Sequence, residues 1–410
     1  MRRVPQALRP QDARVDPGNG GVTRPPWAAF AGVSFAYFAS IGFFTTYAPL
    51  WFKSLGYSAL AIGVISSLQA WTRVFVPYAW GWLADHTGRR VWLLRAAALS
   101  SLAVGSLLLP AHSWGWLPLC VFLLFICNGG VVPLSESALA RFLQTGGGMD
   151  TNRYGRIRVW GSIGFIFSVT AAGFLLEWVG IEAFAWVMCA LLLGLCVATA
   201  RLPSRVDAAA EQGTQDGSVW QVLRQPRVRW FFATIFFTVL GHTSLYTFLS
   251  LYLDDLGYGK SVVGLVWAVS VLAEIAFFWV GSKWAGQVRP VRWLWWAAVL
   301  CVLRFGSIAG FGQVMAVLVA AQLLHAATFA AQHAACTALL GEFFPGRLRG
   351  RGQALYAVLG YGVSGVIGGL GGGLLTQHLG FEAVFWAATA SAVLAVGCAH
   401  QLARHLADQG

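Results

Sequence analysis

Ionisable side chains inside long apolar stretches are the residues of this sequence that could do chemistry. Arg73 and Glu274 each lie near the middle of a stretch long enough to span a bilayer. An ionisable group at that depth costs about 2.5 to 3.5 kcal/mol on insertion scales, so its presence indicates a function. The planar fork of an arginine suits a carboxylate, and a carboxyl group partly removed from water can exchange a proton. We therefore predict that Arg73 binds an anionic solute and that Glu274 carries a proton; a structural ion pair between the two is the alternative.

A second group of polar residues occupies two later apolar stretches. Arg304 offers another fixed positive charge, and a histidine such as His325 titrates near neutrality. Gln322, His325 and Gln332 fall at i, i+3 and i+10, close to one face of a helix, which is typical of a cavity wall. We predict that Arg304 and Gln322 bind the solute and that His325 shares the proton with Glu274. A packed, hydrogen-bonded histidine is the alternative for His325.

Aromatic residues near these positions could stack against an aromatic ring of the solute. We predict this role for Trp71, Tyr47 and Tyr246, with core packing as the alternative for each. His242 and His333 are expected as neighbours of the same site.

The composition requires a membrane around most of the chain. Of 410 residues, 57% are hydrophobic and 11% are charged, against roughly 25% charged in soluble domains. A spanning helix needs about 20 apolar residues, because the hydrocarbon layer is about 30 Å thick. The apolar runs predict twelve spans at approximately 27–50, 60–83, 91–110, 115–140, 157–176, 181–200, 229–253, 261–282, 291–310, 313–340, 352–375 and 380–402. No ten-residue alternating pattern supports a membrane β-barrel, so the predicted fold class is all-α with twelve transmembrane helices.

The placement of positive charge predicts the orientation. Of the 28 Lys and Arg residues, 24 fall on the side of the N-terminus, two in loops on the other side and two within spans. The positive-inside rule then places both termini in the cytoplasm, which we interpret as that of a bacterium with the chain in its inner membrane. The formal net charge of +12 is dispersed between the spans, so we expect no nucleic-acid partner. We expect a monomer in the lipid bilayer.

The spacing of the cysteines and the absence of catalytic motifs argue against a metal-binding protein and against an enzyme. All seven cysteines lie inside predicted spans without metal-ligand or CxxC spacing, so we predict no disulfide, no metal site and no cofactor. The sequence contains no HExxH, GxSxG or phosphate-binding loop, and we predict that the protein is not an enzyme. Active transport would then use an ion gradient.

The chain also repeats itself. Offsets of 201 and 200 residues align Gly56 with Gly257, Gly63 with Gly264, Arg73 with Glu274, and Gly180 with Gly380. Parallel repeats joined by a polar linker are typical of a transporter that moves two halves around a midplane site. We divide the chain into a disordered cytoplasmic tail (1–26), a six-helix bundle (27–200), a cytoplasmic linker (201–228), a second six-helix bundle (229–402) and a short cytoplasmic tail (403–410).

The loop after the second span reads GWLADHTGRR over residues 81–90. It resembles the G-x-L-a-D-x-x-G-R-R/K signature of the major facilitator superfamily. Gly88 permits a tight turn, and Asp85 can meet a helix N-terminus or an arginine. The resemblance implies the major facilitator fold and a gating role, without substrate contact, for Gly81, Asp85, Gly88, Arg89 and Arg90.

A narrower resemblance lies in PLSESALA at 133–140 and YGRIRVWGS at 154–162. These segments are similar to the phenylpropionate permease branch, which is related to the lactose permease and nucleoside:proton symporter branches. The resemblance gives Glu136 and Arg158 the positions of a sugar-binding pair in lactose permease. Because Glu136 lies near the cytoplasmic end of its predicted helix, we predict a gating salt bridge for the pair instead.

The same branch bears on proton coupling. By helix number, Glu274, Arg304 and His325 resemble the residues that carry coupling in the lactose permease branch. That branch has a second carboxylate one turn after the histidine, whereas this chain has Thr328, so the relay must differ.

These expectations favour a proton-coupled symporter of a small organic anion, such as a phenylpropionate-like aromatic carboxylate, with the substrate and protons as its partners. Uptake of a neutral sugar or nucleoside is the second interpretation, in which Glu136 and Arg158 would be ligands. Drug efflux is the third, and an integral-membrane enzyme or a channel is disfavoured.

Overall fold

The structure is a computed structural model that describes residues 26–110, 115–145, 148–149, 151–203, 218–281 and 288–407. Residues 1–25 of the predicted N-terminal tail and residues 204–217 of the predicted linker fall outside the described residues. The last helix continues to Ala407, so it includes the first residues of the segment predicted as the C-terminal tail.

Twelve long helices follow one another along the described chain. They are α1 (Pro26–Ser54), α2 (Ala59–Thr87), α3 (Arg90–Ser106), α4 (Trp116–Phe142), α5 (Thr151–Val179), α6 (Phe184–Ala200), α7 (Pro226–Asp255), α8 (Lys260–Ala276), α9 (Pro290–Phe311), α10 (Met315–Phe343), α11 (Arg349–Leu379) and α12 (Phe381–Ala407). By length and composition, eleven of the helices in these ranges can cross a membrane. The twelfth, α3, has 17 residues and a length of about 26 Å at ~1.5 Å per residue. The twelve predicted membrane helices are confirmed.

Shorter elements join the long helices. A 3₁₀ turn, Ile181–Ala183, leads into α6, and a short helix, Val219–Leu223, precedes α7. Between α4 and α5 the two-residue strands Gln144–Thr145 and Gly148–Met149 pair antiparallel, a small hairpin that helical periodicity could not predict.

Three π-helical segments occur in the described part of the chain, and all three lie in its second half. They are Phe277–Gly281 at the end of α8, Ala326–Ala331 within α10 and Tyr356–Val363 within α11. Such segments are rare and are frequently found at functional sites.

Aligned glycines of the two repeats adopt the same backbone conformation. Gly56 and Gly257 have φ angles of 84° and 83°, and Gly180 and Gly380 have φ angles of 94° and 85°. Residues that carry a side chain rarely adopt positive φ angles, so glycine is the residue that ends the helix at each of these turns.

The core divides differently at the two ends of the bundle. We call the end that holds the start of α1 and the end of α12 the terminal face, and the other end, with the Gly56 and Gly257 turns, the opposite face. Near the opposite face one continuous apolar core includes residues of both halves, among them Tyr47, Phe184 and Phe248. Near the terminal face there are two separate cores, one built by residues 30–202 and the other by residues 228–402. The halves are therefore joined at the opposite face and apart at the terminal face.

Two helix pairs form the junction, α2 with α11 and α5 with α8. Gly63 leaves no room for a Cβ against the carbonyl oxygen of Gly369, and Gly264 leaves none against that of Val169. Gly63 and Gly264 are 201 residues apart, and Val169 and Gly369 are 200 apart, which are the two repeat offsets. The junction therefore has approximate two-fold symmetry, with close backbone approach through glycine as in other membrane helix pairs.

Candidate functional site

A buried arginine organises the polar cluster between α9 and α10. Arg304 is 1% exposed. Its Nη1 lies 2.8 Å from His325 Nδ1 and donates to Thr328 Oγ1 at 3.0 Å, while Nη2 donates to Gln322 Oε1 at 2.9 Å. The three partners lie on successive turns of α10, so one helix face surrounds the guanidinium. A buried charge requires such partners, because an unpaired one costs several kcal/mol. Thr328 therefore holds Arg304 where the related branch has a carboxylate.

The cluster continues to Glu274 on α8. Glu274 Oε1 lies 2.7 Å from His325 Nε2. Because Arg304 can only donate, His325 Nδ1 must present its lone pair, and the ring proton is then on Nε2, directed at the carboxylate. His325 is thus a neutral imidazole between a guanidinium and a carboxylate. Within the described residues Arg73 forms no ion pair, so the alternative of an Arg73–Glu274 pair is wrong in this structure.

Several polar atoms at the cluster lack a partner among the described residues. Arg304 Nε, Gln322 Nε2 and His242 Nε2 are buried without a hydrogen bond. His242 Nδ1 lies 2.9 Å from the carbonyl oxygen of Thr238, so its proton is on Nδ1 and Nε2 presents a lone pair. Two donor nitrogens, Arg304 Nε and Gln322 Nε2, and one acceptor nitrogen, His242 Nε2, are therefore unsatisfied in the cluster.

Arg73 reaches the same region from the other half. It is exposed, and its charge acts on the hydroxyl groups of Tyr37 on α1, Tyr246 on α7 and Tyr361 on α11. Tyr246 is also within electrostatic range of Glu274 and Arg304. Arg73 and the Arg304 cluster thus both lie within electrostatic range of Tyr246, and their joint role in binding a solute stays a prediction.

Rings of α7, α8 and α10 line this region. The Tyr246 ring stacks on Trp267, with centroids 6.1 Å apart and an interplanar angle of 17°. Phe329 stacks on His325 at 5.0 Å and on His333 at 6.4 Å. Stacked aromatic rings therefore pack beside the polar cluster.

Two predicted stacking residues lie elsewhere. Tyr47 is fully buried between the halves, and its hydroxyl contacts the backbone carbonyl oxygens of Val169 and Lys260. Tyr47 therefore belongs to the junction at the opposite face. Trp71 is 50% exposed, and two residues along a helix turn the direction by about 200°, so it faces away from Arg73.

The exposed side of α2 confirms the direction of Trp71. Trp71, Phe75, Tyr78 and Trp82 are all exposed, at the i, i+4, i+7 and i+11 spacing of one helix face. A stripe of large apolar rings on the outside of a membrane helix faces lipid. We therefore expect no substrate contact from Trp71, in place of the stacking role predicted from the sequence.

The predicted gating loop folds on itself. Arg90 Nη2 lies 2.7 Å from Asp85 Oδ1, with Arg90 buried and Asp85 exposed. Gly88, which follows the last residue of α2, has a φ of 66°. Its N–H donates to the carbonyl oxygen of Ala84, and this contact terminates the helix. Arg89 precedes the first residue of α3, and a Cβ on Gly81 would meet no neighbouring atom. The Asp85 ion pair thus stays within one half, in keeping with the separated terminal face.

The predicted salt bridge between Glu136 and Arg158 is present, with Arg158 Nε 3.4 Å from Glu136 Oε1. Tyr154 donates its hydroxyl proton to Glu136 Oε2 at 2.6 Å, and the Arg158 guanidinium lies 4.3 Å from the centre of the Phe38 ring. The pair joins α4 to α5 inside one half, so it closes no gate between the halves in this structure. The charge of Arg158 still acts on Glu274 across the interface.

The sequence did not predict that three polar side chains, on α10 and α11, form one hydrogen-bonded chain. His333 Nδ1 lies 3.0 Å from the Tyr356 hydroxyl, which lies 3.2 Å from the Tyr361 hydroxyl. His333 is exposed, and its charge acts on Glu274. The four-residue spacing of His325, Phe329 and His333 could have indicated that these rings share one face of α10. Tyr356 and Tyr361 lie on α11, and no spacing in the sequence relates them to α10.

Comparison with known proteins gives a family and several relatives. The model described as MFS_1 like family matches residues 27–387. The chain is 27% identical over 356 residues to the "Probable 3-phenylpropionic acid transporter" of Escherichia coli (strain K12), covering 86% of this chain and 91% of that one. It is 29% identical over 338 residues to the "Maltose permease" of Geobacillus stearothermophilus, covering 80% and 82%. The crystal structure of the nucleoside transporter NupG superposes with a TM-score of 0.79 at 17% identity, covering 93% of this chain and 99% of that one.

Proposed function

Because the chain belongs to the MFS_1 like family and is a secondary transporter of the major facilitator type, we propose that it imports a small aromatic carboxylate together with protons. In this proposal both termini lie in the cytoplasm and the structure is open to that side.

The observation that carries the proposal is the set of unsatisfied buried polar atoms in the Arg304 cluster. Arg304 Nε and Gln322 Nε2 are buried donors without an acceptor among the described residues. A buried donor without a partner costs about 1–3 kcal/mol, so a solute with acceptor oxygens gains by satisfying both. A carboxylate supplies such oxygens and the negative charge that Arg73 and Arg304 favour.

The aromatic part of the substrate is inferred from the rings beside the cluster and from the relatives. Tyr246 and Trp267 present a stacked pair next to both arginines. The relative described as a probable 3-phenylpropionic acid transporter supports a phenyl ring joined to a carboxylate.

The contacts from Glu274 to His325 and from His325 to Arg304 support proton coupling in this proposal. When an anionic substrate neutralises the arginine charge, the Glu274 carboxylate loses part of its stabilisation and takes up a proton more readily. Substrate and proton then each raise the affinity for the other, as linkage requires. His325 cannot pass a proton onward while Arg304 holds its Nδ1, so the exposed His333 is the group through which Glu274 exchanges protons with the open terminal face.

A second candidate is uptake of a neutral sugar. The relative described as a maltose permease favours it, and the partly exposed Glu136–Arg158 pair would then hydrogen-bond the hydroxyl groups. This interpretation leaves the positive charge of Arg73 without a ligand.

Counterflow in proteoliposomes distinguishes the two candidates. We expect exchange of radiolabelled 3-phenylpropionate, no exchange of maltose or uridine, and accumulation only with an inward proton gradient. Arg73→Gln should abolish the exchange, whereas Glu136→Gln should retain it. Exchange of maltose that depends on Glu136 and not on Arg73 would establish the second candidate instead.

A further inference from the structure

The N-terminus of α8 is capped by a residue of the other half. α8 begins at Lys260, and its preceding residue, Gly259, has no side chain to cap it. The N–H of Ser261 instead donates to Glu177 Oε2 of α5 at 2.7 Å. The first N–H groups of a helix have no partner within the helix, and its N-terminus favours negative charge, so the Glu177 carboxylate satisfies both requirements.

The equivalent helix in the first half caps itself. α2 begins at Ala59, and Ser58 Oγ accepts the N–H of Ala61 at 3.3 Å. Ser58 and Gly259 are equivalent at the 201 offset, and Glu177 is equivalent to Gln377 at the 200 offset. The two repeats therefore differ twice at the same contact: the capping serine is replaced by glycine, and the facing residue carries a charge.

Space, and not backbone conformation, explains the glycine. Gly259 has φ and ψ angles of −68° and 165°, nearly those of Ser58 at −68° and 161°, so a serine fits the backbone at this position. A Cβ on Gly259 would, however, collide with the carboxylate of Glu177. The carboxylate of Glu177, from the other half, therefore occupies the space that a side chain at position 259 would fill.

The contact lies where the opposite face must separate. Close to it, a Cβ on Gly173 of α5 would meet the carbonyl oxygen of Lys260, and Tyr47 bridges α5 and α8. Alternating access, the transport mode of this family, requires α5 and α8 to part here. When they part, Ser261 loses its acceptor and α8 has no cap of its own.

We propose that Glu177 is a latch of the opposite face: it caps α8 only in the closed state, so opening this face removes the helix cap. The Ser58 cap of α2 persists in both states and contributes nothing to the choice between them. This inference rests on the alternating access of the family and is independent of the substrate and of the proton coupling proposed above. We expect this cap to shift the equilibrium about fivefold toward the closed face.

Three variants separate the latch from a purely structural contact. Glu177→Ala removes the cap. Gly259→Ser displaces Glu177 and gives α8 a cap of its own, as Ser58 does for α2. Both should raise the population open at the opposite face about fivefold, and the double variant should equal either single variant, because both remove the same interaction. Ser58→Gly is the matched control, which should lower thermal stability and leave the population unchanged.

Hydrogen–deuterium exchange of the full chain in nanodiscs measures the population without labels. In Glu177→Ala and Gly259→Ser, peptides at the opposite face (170–180 and 256–264) should exchange about fivefold faster, and peptides at the terminal face (338–352) should exchange more slowly. Faster exchange at 256–264 alone would mean local fraying of the helix and would overturn the proposal. Wild-type exchange in Gly259→Ser would also overturn it. Loss of 3-phenylpropionate exchange with this pattern intact would contradict the proposed function and leave the latch standing.

Discussion

Lys53 and Asp254 form an ion pair of 2.8 Å and occupy equivalent positions, 201 residues apart, in the two repeats. Two equivalent positions can meet only close to the pseudo-two-fold axis, so the pair marks the point where this axis leaves the protein at the opposite face. The duplicated position carries opposite charges in its two copies, which turns a contact that would repel between identical residues into one that attracts.

We expect Lys53→Gln to favour opening of the opposite face modestly. Both side chains are partly exposed, and such pairs are worth about 0.2–1 kcal/mol, so the shift should not exceed about fivefold. Hydrogen–deuterium exchange of residues 50–58 measures it, and added salt should reduce the difference from the wild type. Lys260→Gln is the matched control, because Lys260 Nζ lies 4.0 Å from Asp254 and should contribute less. Equal effects of the two variants would contradict this ranking.

Arg73→Gln should abolish transport of an aromatic carboxylate and preserve the fold. Arg73 is exposed and makes no ion pair within the described residues, so its loss strands no partner. A charge-assisted bond is worth about 1.5–3 kcal/mol, which predicts about 10- to 150-fold weaker binding. Calorimetric titration and thermal unfolding of one sample measure both. Arg304→Gln is the contrast, because it strands Gln322 and His325 and should lower stability as well. Normal affinity in Arg73→Gln would remove this residue from the binding site.

Tyr246→Leu and Trp71→Leu test which ring meets the substrate. Tyr246 lies within electrostatic range of Arg73 and Arg304, and an aromatic contact is worth about 0.5–1.5 kcal/mol, so affinity for 3-phenylpropionate should fall about 2- to 12-fold. Trp71 faces lipid, so its variant should bind within about twofold of the wild type. Equilibrium binding to the two variants in detergent is the measurement. A larger loss in Trp71→Leu than in Tyr246→Leu would contradict the placement of both.

Glu274→Gln should separate exchange from accumulation. The amide oxygen can still accept the His325 Nε2–H, so the contacts of Arg304 persist while the proton site is lost. Counterflow of substrate should continue, and uptake driven by a proton gradient should disappear, when both are measured in the same vesicles. Accumulation at the wild-type level would move the proton to another group or remove coupling.

The sequence predicts much of the fold because the membrane imposes it. Apolar length alone gives the twelve helices, and the repeat offsets predict which turns share a conformation. Helix number and depth also suffice to bring Glu274, Arg304 and His325 together. The depth of a residue in a span is readable from the chain.

The rotation of each helix about its own axis cannot be predicted from the sequence in the same way. Tyr47 and Trp71 lie on faces that packing decides, the first against α5 and α8 and the second against lipid. The insertion of His325 between Glu274 and Arg304, which excludes a direct carboxylate–guanidinium contact, depends on the same rotation.

The π segment of α10 changes the direction in which the residues after it point around the helix axis. At about 100° per residue, an unbroken α-helix would place His333 some 80° around the axis from His325. A π turn carries one residue more per turn and moves the following residues back by about that angle, which aligns the two rings with Phe329 between them. The alignment of the rings of His325, Phe329 and His333 thus depends on the wider turn of this π segment. A regular α-helix of the same length over Ala326–Ala331 would leave twelve helices and the same composition, and it would turn His333 away from His325 by about 80°.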